Sequence, residues 1–177
     1  MVQSDPQFAR TIREATQVDV EDLERMRLAL QAHFAKANPH LMALNVQRMA
    51  TLKDFYRNLI DDPQARVLVA HEPLGTQRIG MAVGRIVPHE EFEPTVWGHI
   101  DDVWVEPEYR HRGICRMLMA RLLEFFEGAR IEVLVLDYVI GNREAEGTWK
   151  RFGFQPVLTV ANGRLTEVRN HIQGKAP

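Results

Sequence analysis

The spacing of large apolar residues predicts two amphipathic helices in the first third of the chain. In each segment these residues recur every three or four positions, which is the period of a helix with one buried face. The first helix follows Asp19 as its N-cap and ends at Asn38-Pro39. The second begins at Asn45 and ends before Pro63, because the residue preceding a proline is pushed out of the helical region. The two apolar faces consist of Leu23, Met26, Leu30 and Phe34, and of Met49, Leu52, Phe55 and Leu59.

Elsewhere the pattern has the two-residue period of β-strands or is strongly apolar over a short run. Small residues Gly80, Ala82 and Gly84 share one face of a predicted strand, which indicates that a helix packs closely there. Asn162-Gly163 is the sharpest hairpin signal in the chain and predicts a terminal hairpin. The predicted strands are Thr11–Ala15, Ala65–His71, Arg78–Val87, Val96–Val105, Glu132–Val139, Val157–Ala161 and Arg164–Ile172.

Two further helices are predicted at Gly113–Glu127 and Asn142–Arg151, between the later strands. The buried stripe of the first is expected to be Ile114, Met117, Leu118, Leu122 and Phe125. The strand–helix–strand unit from Val96 to Val139 requires a right-handed crossover and parallel pairing if its strands are neighbours. We find no internal repeat or long linker, so residues 1–177 are predicted to form one α/β domain, with residues 1–10 a flexible start.

Composition narrows the class of protein. The chain is 45% apolar and 26% charged, as in soluble globular proteins. A net charge of −2 means that the domain as a whole lacks the positive charge typical of nucleic-acid-binding proteins. One cysteine excludes an intrachain disulfide framework and a cysteine-rich zinc site. The N-terminus lacks a signal-peptide pattern, and no run approaches the roughly 18 apolar residues of a membrane span. We therefore expect a cytoplasmic protein with no membrane partner.

The segment Val103–Cys115 carries the candidate chemistry. A strand ends at Pro107, a short basic loop follows, and a helix opens on Gly113. A helix N-terminus leaves about four backbone N–H groups free and its dipole favours an anion. Arg110, His111 and Arg112 add positive charge or donors, which indicates a phosphate or pyrophosphate site. A solvated basic turn that only caps the helix explains these features equally well.

Here the sequence resembles a known family. Arg110-x-x-Gly113-x-Cys115 is similar to the pyrophosphate-binding motif of the GNAT superfamily of N-acetyltransferases, and Val103-x-Val105-x-Pro107 is similar to the strand end that precedes it. The later segment Asn142-x-x-Ala145, followed by Trp149-x-x-Phe152-Gly153-Phe154, resembles the second motif of that family. Two motifs in the right order are more specific than either alone. The resemblance covers Val96–Phe154.

The resemblance implies a mixed central sheet of about seven strands with helices on both faces and two central parallel strands that splay apart. It also implies acetyl-CoA as cosubstrate, with no metal. Val103 and Val105 would pair with the pantetheine arm, and Asn142 would contact the cofactor farther along. The backbone that would hold the pyrophosphate comprises Arg110, His111, Arg112, Gly113, Ile114 and Cys115. The implied reaction transfers an acetyl group to a primary amine of a small molecule or peptide by direct attack in a ternary complex.

Attack on a thioester requires a neutral amine, yet only about one aliphatic amine in a thousand is unprotonated at neutral pH. A general base is therefore useful. Asp137 stands on one splayed strand and His99 and Asp101 on the other, at positions where relatives place catalytic groups. By alternation His99 and Asp101 share a face and Asp102 points the opposite way. For each of them a structural role, as a polar residue at a strand end or a satisfied partner in the sheet, is the alternative.

Two residues depart from the family pattern. Trp149 stands where the family often has a tyrosine, the proposed general acid, and an indole cannot serve as that acid. Cys115 replaces a glycine or alanine, and we expect a small packing residue rather than a nucleophile.

Other functions remain open at the level of sequence. A non-catalytic acyl-CoA-binding regulatory module of the same fold is the main alternative, and a nucleotide-phosphate enzyme is disfavoured because no Walker lysine follows Gly113. The acidic loop Glu90–Glu93 is either a solvated loop or an attractant for a cationic acceptor. The oligomeric state is open, with a homodimer as one option.

Overall fold

The computed structural model describes residues 11–40 and 43–174, in which helices flank a mixed five-stranded sheet. The strands follow one another in chain order across the sheet, antiparallel from β1 to β4, with β5 parallel to β4. They are β1 (Ile12–Glu14), β2 (Ala65–His71), β3 (Arg78–Pro88), β4 (Val96–Val105) and β5 (Leu134–Leu136). The helices are α1 (Val20–Ala37), α2 (Val46–Ala50), α3 (Leu52–Asp61), α4 (Ile114–Gly128), α5 (Arg143–Arg151) and α6 (Leu165–Ile172). The flexible start predicted for residues 1–10 lies outside the described residues.

The two N-terminal helices form where the apolar period predicts them, with one difference. α1 ends at Ala37 with Asn38 as its C-cap, and the Asn45 side chain accepts a hydrogen bond from the Arg48 N–H at 2.7 Å. The second predicted helix is divided into α2 and α3 at Thr51. The Thr51 hydroxyl donates back to the carbonyls of Gln47 and Arg48, a local bond that competes with the helical ladder.

Two apolar clusters, one on each face of the sheet, make up the core. One lies between the sheet and α4, and the other between the sheet and the pair α1 and α3. The prediction of a closely packed helix is confirmed, because a Cβ on Gly84 would lie 2.8 Å from Phe126 Cζ. Gly98 on β4 meets the same ring, with its built Cβ 2.8 Å from Phe126 Cδ1. These glycines let α4 approach the centre of the sheet.

The buried stripe of α4 is partly as predicted. Ile114, Leu118 and Leu122 are fully buried, but Phe126 rather than Phe125 continues the stripe. Residues four apart lie on nearly the same face of a helix, so Phe126 follows Leu122. Phe125 is turned to the margin of the sheet, where the Arg66 guanidinium lies 4.9 Å from its ring centroid.

The parallel pair β4 and β5 separates part of the way along β4. Gly98, His99 and Ile100 pair with Leu134, Val135 and Leu136, and β4 then continues to Val105. The predicted strand Glu132–Val139 was therefore too long, because beyond Leu136 the chain no longer follows β4. This divergence is the splay that the resemblance implies.

The predicted terminal hairpin is wrong. Residues 154–164 form no regular element, and the segment predicted as its second strand is the helix α6. Leu165, Val168 and Ile172 are spaced three and four apart, a helical period that the Asn162-Gly163 turn signal masked. Val157, Leu158 and Val160 are exposed and pair with no strand. The sheet accordingly has five strands in the described part of the chain instead of about seven.

None of the described helices is long and apolar enough to cross a bilayer.

Candidate active site

A β-bulge in β4 lies where the strand passes the end of β5. The register with β3 pairs Val103 with Ala82 but Ile100 with Gly84, so β4 has one extra residue at positions 101–102. The bulge interrupts the alternation of side chains. The prediction that Asp102 points away from Asp101 is wrong for this reason, since both carboxylates lie on the face that carries α1 and α3.

Asp102 is a buried structural partner. Its carboxylate accepts a hydrogen bond from the Tyr56 hydroxyl at 2.9 Å and lies 3.2 Å from Arg27 Nε. Burial raises the pKa of Asp102, and burial beside this carboxylate raises the pKa of Tyr56 as well. Both side chains are enclosed between the sheet and the helices, so Asp102 is not available to a substrate.

Asp101 is also occupied. Arg85 on β3 donates to both of its oxygens, at 2.6 and 2.8 Å, in a bidentate ion pair. Asp137 lies just beyond β5, is exposed, and has no hydrogen-bond partner within the described residues. Its negative charge is close enough to His99 to favour the protonated form of that ring, against the larger effect of burial. Tyr138 packs into the cluster beneath α4, on the other side of the sheet.

His99 is half-buried at the mouth of the splay, next to the last residue pair that joins β4 to β5. Its Nε2 lies 2.8 Å from the Nε2 of His89, a residue just past the end of β3. The pKa of His99 is lowered, first by burial and then by His89. An imidazole whose neutral form is favoured is suited to accept a proton near neutral pH.

Backbone groups of β4 face the opening. The Glu106 N–H donates to the Ile79 carbonyl on β3, and alternation then turns the N–H groups of Val103 and Val105 to the other edge. That edge is beyond the last pair with β5. The Val105 carbonyl accepts a hydrogen bond from Arg110 Nε at 3.1 Å, which ties the following loop to the strand end.

The N-terminus of α4 forms a cradle of backbone donors. Gly113, its N-cap, has φ +82° and offers no side-chain oxygen to the first turn. His111 also has positive φ, at +61°. The first bond of the helix runs from the Met117 N–H to the Gly113 carbonyl, so the N–H groups of Ile114 and Cys115 precede the helical ladder. Such an arrangement of donors fits a phosphate group.

The basic side chains of the loop divide into two groups. The Arg110 guanidinium is turned inward, 2.9 Å from Glu144 on α5 and 4.8 Å from the Trp104 ring centroid. Arg112 and His111 are exposed, with Arg112 donating to the Glu108 carbonyl at 3.1 Å. Arg110 thus fixes the loop, while Arg112 and His111 supply charge and donors at the surface.

The second motif supports the site from behind. Asn142 is buried and caps α5, where its side chain accepts from the Ala145 N–H at 3.1 Å. Trp149 is buried edge-on against the rings of Phe152 and Phe154. Burial raises the pKa of Cys115 to about 11, with a smaller contribution from Glu144, so its thiol stays protonated at neutral pH. This agrees with the expected packing role for Cys115.

The contacts that sequence did not reveal are Tyr56, Arg27 and His89. Tyr56 and Arg27 reach β4 from distant helices and His89 reaches it from the adjacent β3–β4 loop, and none of the three belongs to a motif. A cavity of about 800 Å³ opens at the far end of β4, among Pro63, Val96 and Phe125, away from the splay. No group of three metal-binding side chains is found among residues 11–40 and 43–174.

Fold and site together form an arrangement in which an open strand edge leads to the backbone donors at the N-terminus of a helix. Residues 26–154 match the model of the acetyltransferase (GNAT) family, and the chain belongs to this family. No curated protein sequence matches the chain.

Solved structures of the same fold share few residues with the chain. A mutant of a Bacillus halodurans protein is 19% identical, with TM-score 0.75 over 87% of this chain and 98% of that one. A predicted acetyltransferase from Clostridium acetobutylicum, solved with acetyl-CoA, is 19% identical, with TM-score 0.70 over 88% and 96%. An aminoglycoside 6'-N-acetyltransferase from Acinetobacter haemolyticus is 18% identical, with TM-score 0.67 over 86% and 97%.

Proposed function

We propose that the protein transfers an acetyl group from acetyl-CoA to a primary amine of a small molecule or peptide, by direct attack in a ternary complex. The observation that carries this proposal is the continuity of three features along β4. β4 separates from β5 beyond Leu136, His99 lies beside that point, and β4 then leads into the donor cradle at Gly113. Family membership supports the same chemistry.

The residues present fit acetyl-CoA. The N–H groups before the helical ladder of α4 would hold the pyrophosphate, with Arg112 and His111 adding charge at the surface. The free edge of β4 at Val103 and Val105 would pair with the amide groups of the pantetheine arm. The bound cosubstrate supplies an activated acetyl group on a thioester.

His99 is our choice for the general base among the three candidates. Asp101 is neutralised by Arg85, whereas the lowered pKa of His99 keeps the imidazole free to accept a proton. Asp137 faces the same region from the end of β5 and would help to attract a protonated amine. The exposed acidic loop Glu90–Glu93 would act in the same direction.

The general acid is not Trp149. Its indole donates but does not titrate, and the ring is buried in the apolar cluster. Buried Trp149 is also the observation that favours the alternative, a non-catalytic acyl-CoA-binding module. Release of CoA from acetyl-CoA across a broad amine panel separates the two: turnover identifies an enzyme, and tight CoA binding without turnover identifies the module.

Cofactor binding is tested by the substitution Gly113→Glu. A carboxylate and its bulk at the N-cap would repel a pyrophosphate, and the positive φ would be strained, so CoA affinity should fall by at least about a hundredfold in calorimetry. Gly128→Glu is the matched control, because it makes the same change at the opposite end of α4, where the space is open. Gly113→Ala separates strain from charge. Near-normal CoA affinity in Gly113→Glu would contradict the assignment of the cradle.

A further inference from the structure

His89 and His99 form an unusually direct pair. Their Nε2 atoms are 2.8 Å apart, their ring centroids are 5.0 Å apart, and the ring planes differ by 8°. A centroid separation this much larger than the N···N distance is reached only when each ring points its Nε2 straight at the other. The rings therefore lie edge to edge in nearly one plane, the linear arrangement that an N–H···N hydrogen bond prefers. One Nε2 must carry a proton and the other must accept it.

The ring of His89 is held in this position by its own neighbours. It stacks on Trp97, with centroids 4.0 Å apart and planes 24° apart. The indole N–H of Trp97 donates to the Pro94 carbonyl at 2.7 Å. The backbone N–H of His89 donates to the Thr95 carbonyl, also at 2.7 Å. The backbone of His89 and the Trp97 ring on which it stacks are thus both held in place. His89 lies at the start of the loop between β3 and β4, and its ring points toward β4, where it contacts His99.

The charged groups around the pair come from three elements. Arg85 faces His99 from β3, Asp101 lies two residues along β4, and Asp137 faces it from the end of β5. Arg85 is engaged by Asp101, so their charges largely compensate. Among the residues that the structure describes, His89 is the imidazole in direct contact with His99. A proton accepted by His99 therefore has His89 as its nearest onward acceptor.

We propose that His89 is a positioning residue that fixes the tautomer of His99 and relays its proton to solvent. This inference rests on the proposed function, because it assumes that His99 takes a proton from the acceptor amine. In the resting pair the Nε2–H of His99 donates to the Nε2 of His89, which leaves Nδ1 of His99 with a free lone pair. His89 then carries its own proton on Nδ1.

The relay balances in protons and charge. The amine loses its N–H proton to Nδ1 of His99 as its nitrogen bonds to the acetyl carbon. The C–S bond of the thioester then breaks, and the CoA thiolate leaves and takes a proton from water. The Nε2–H bond of His99 breaks as the proton passes to Nε2 of His89, and the Nδ1 proton of His89 passes to water. The pair ends neutral with both tautomers reversed, and exchange of one proton with solvent at each ring restores the starting state.

The kinetic test compares His89→Ala and His89→Gln with His71→Gln, at a half-buried histidine whose ring contacts a neighbouring backbone carbonyl. His89→Ala should lower kcat about tenfold, with KM for acetyl-CoA unchanged, because a proton transfer is impaired. Added imidazole should restore kcat in His89→Ala, and more basic or more acidic imidazoles should restore it to different extents. His89→Gln keeps a hydrogen-bond acceptor but cannot relay, so it should stay slow.

The structural test does not depend on turnover. In the ¹⁵N-labelled protein, NMR should detect coupling across the hydrogen bond between the two Nε2 atoms, and His89→Gln should abolish it. Absence of this coupling in the wild-type protein overturns the pair. If the wild-type protein is active and His89→Ala is as fast as His71→Gln, the relay is wrong while the proposed function stands. A wild-type protein that acetylates no amine overturns both.

Discussion

At the scale of single residues, four polar side chains crowd the same stretch of β4 and its neighbour, but their surroundings differ. Asp102 is enclosed with Tyr56, Asp101 is paired with Arg85, and Asp137 is exposed. His99 alone of the candidates combines partial burial, a lowered pKa and a position at the splay. Chemical type did not separate these residues, whereas their partners do.

Replacement of His99 by glutamine should lower kcat by about a hundredfold to a thousandfold, because the amine loses its base. CoA affinity should be unchanged. In the wild-type protein the rate should fall as the pH drops through the pKa of His99, below the ordinary value of about 6.5. Initial rates from pH 5 to 9 check both points.

Asp137→Asn and Asp101→Asn provide the comparison for His99→Gln. A His99→Gln protein that keeps the wild-type rate and acid limb, together with a slow Asp137→Asn protein, would transfer the role of base to Asp137.

The sequence predicted which residues carry reactive groups but not which side chains those residues contact in the fold. The motif residues around Gly113 could be located because the donor cradle at the start of α4 is made by consecutive residues. His89 could not, because its contact with His99 depends on how the β3–β4 loop folds back. Tyr56 and Arg27 reach Asp102 from helices far along the chain, and no spacing rule connects them.

At the scale of elements, glycines in the sheet leave the space into which side chains of α4 pack. Strands with both faces buried, such as β2 and β3, were predicted nearly to the residue because their apolar runs are continuous. The C-terminal segment was mispredicted because its apolar residues are exposed, so their pattern is not constrained by a core. The length of β5 was overestimated because pairing, rather than hydrophobicity, decides where a strand ends.

Gly84→Val should destabilise the fold by about 1–3 kcal/mol, because its side chain would enter space filled by Phe126 and Leu122. Gly128→Ala lies in open space at the end of the same helix and should be neutral or stabilising by up to about 1 kcal/mol. Urea unfolding of the two variants measures the difference. Equal stabilities would show that α4 does not depend on this close approach.

At the scale of the whole molecule, one carboxylate joins three parts of the chain. Asp19 is 0% exposed at the start of α1 and binds Arg13 from β1 and Arg78 from β3. It also accepts from the Thr16 N–H at 2.8 Å. Burial alone would raise the pKa of Asp19, but these hydrogen bonds and charges outweigh it and hold the pKa well below its usual range.

Asp19→Ala should lower the free energy of unfolding by about 3–5 kcal/mol, because two arginines would lose a buried partner. Since the folded-state pKa is depressed, the contribution of Asp19 is complete above the unfolded value of about 3.9 and is lost as the pH falls through the lower folded value. The difference between wild type and Asp19→Asn should therefore be constant near neutrality and shrink below about pH 4.

Asp54→Ala removes an exposed carboxylate that pairs with Arg57 within α3, and should cost less than about 1 kcal/mol. If Asp19→Ala were no more destabilising than this control, the three-part junction would contribute little to stability.

The bulge at Asp101–Asp102 determines where along β4 the number of residues can change. Before the bulge the strand is held on both edges, and after it only on the β3 side. Because Asp101 and Asp102 lie on the same face, deletion of one of them would restore regular alternation and leave the downstream faces unchanged, whereas deletion of Val103 would exchange the faces of the residues that follow it. In that variant Trp104 would turn toward α4, and the backbone N–H of Val105 would turn toward β3. Homologous chains should therefore tolerate insertions and deletions in the β3–β4 loop far more readily than a change of even one residue between Val103 and Gly113.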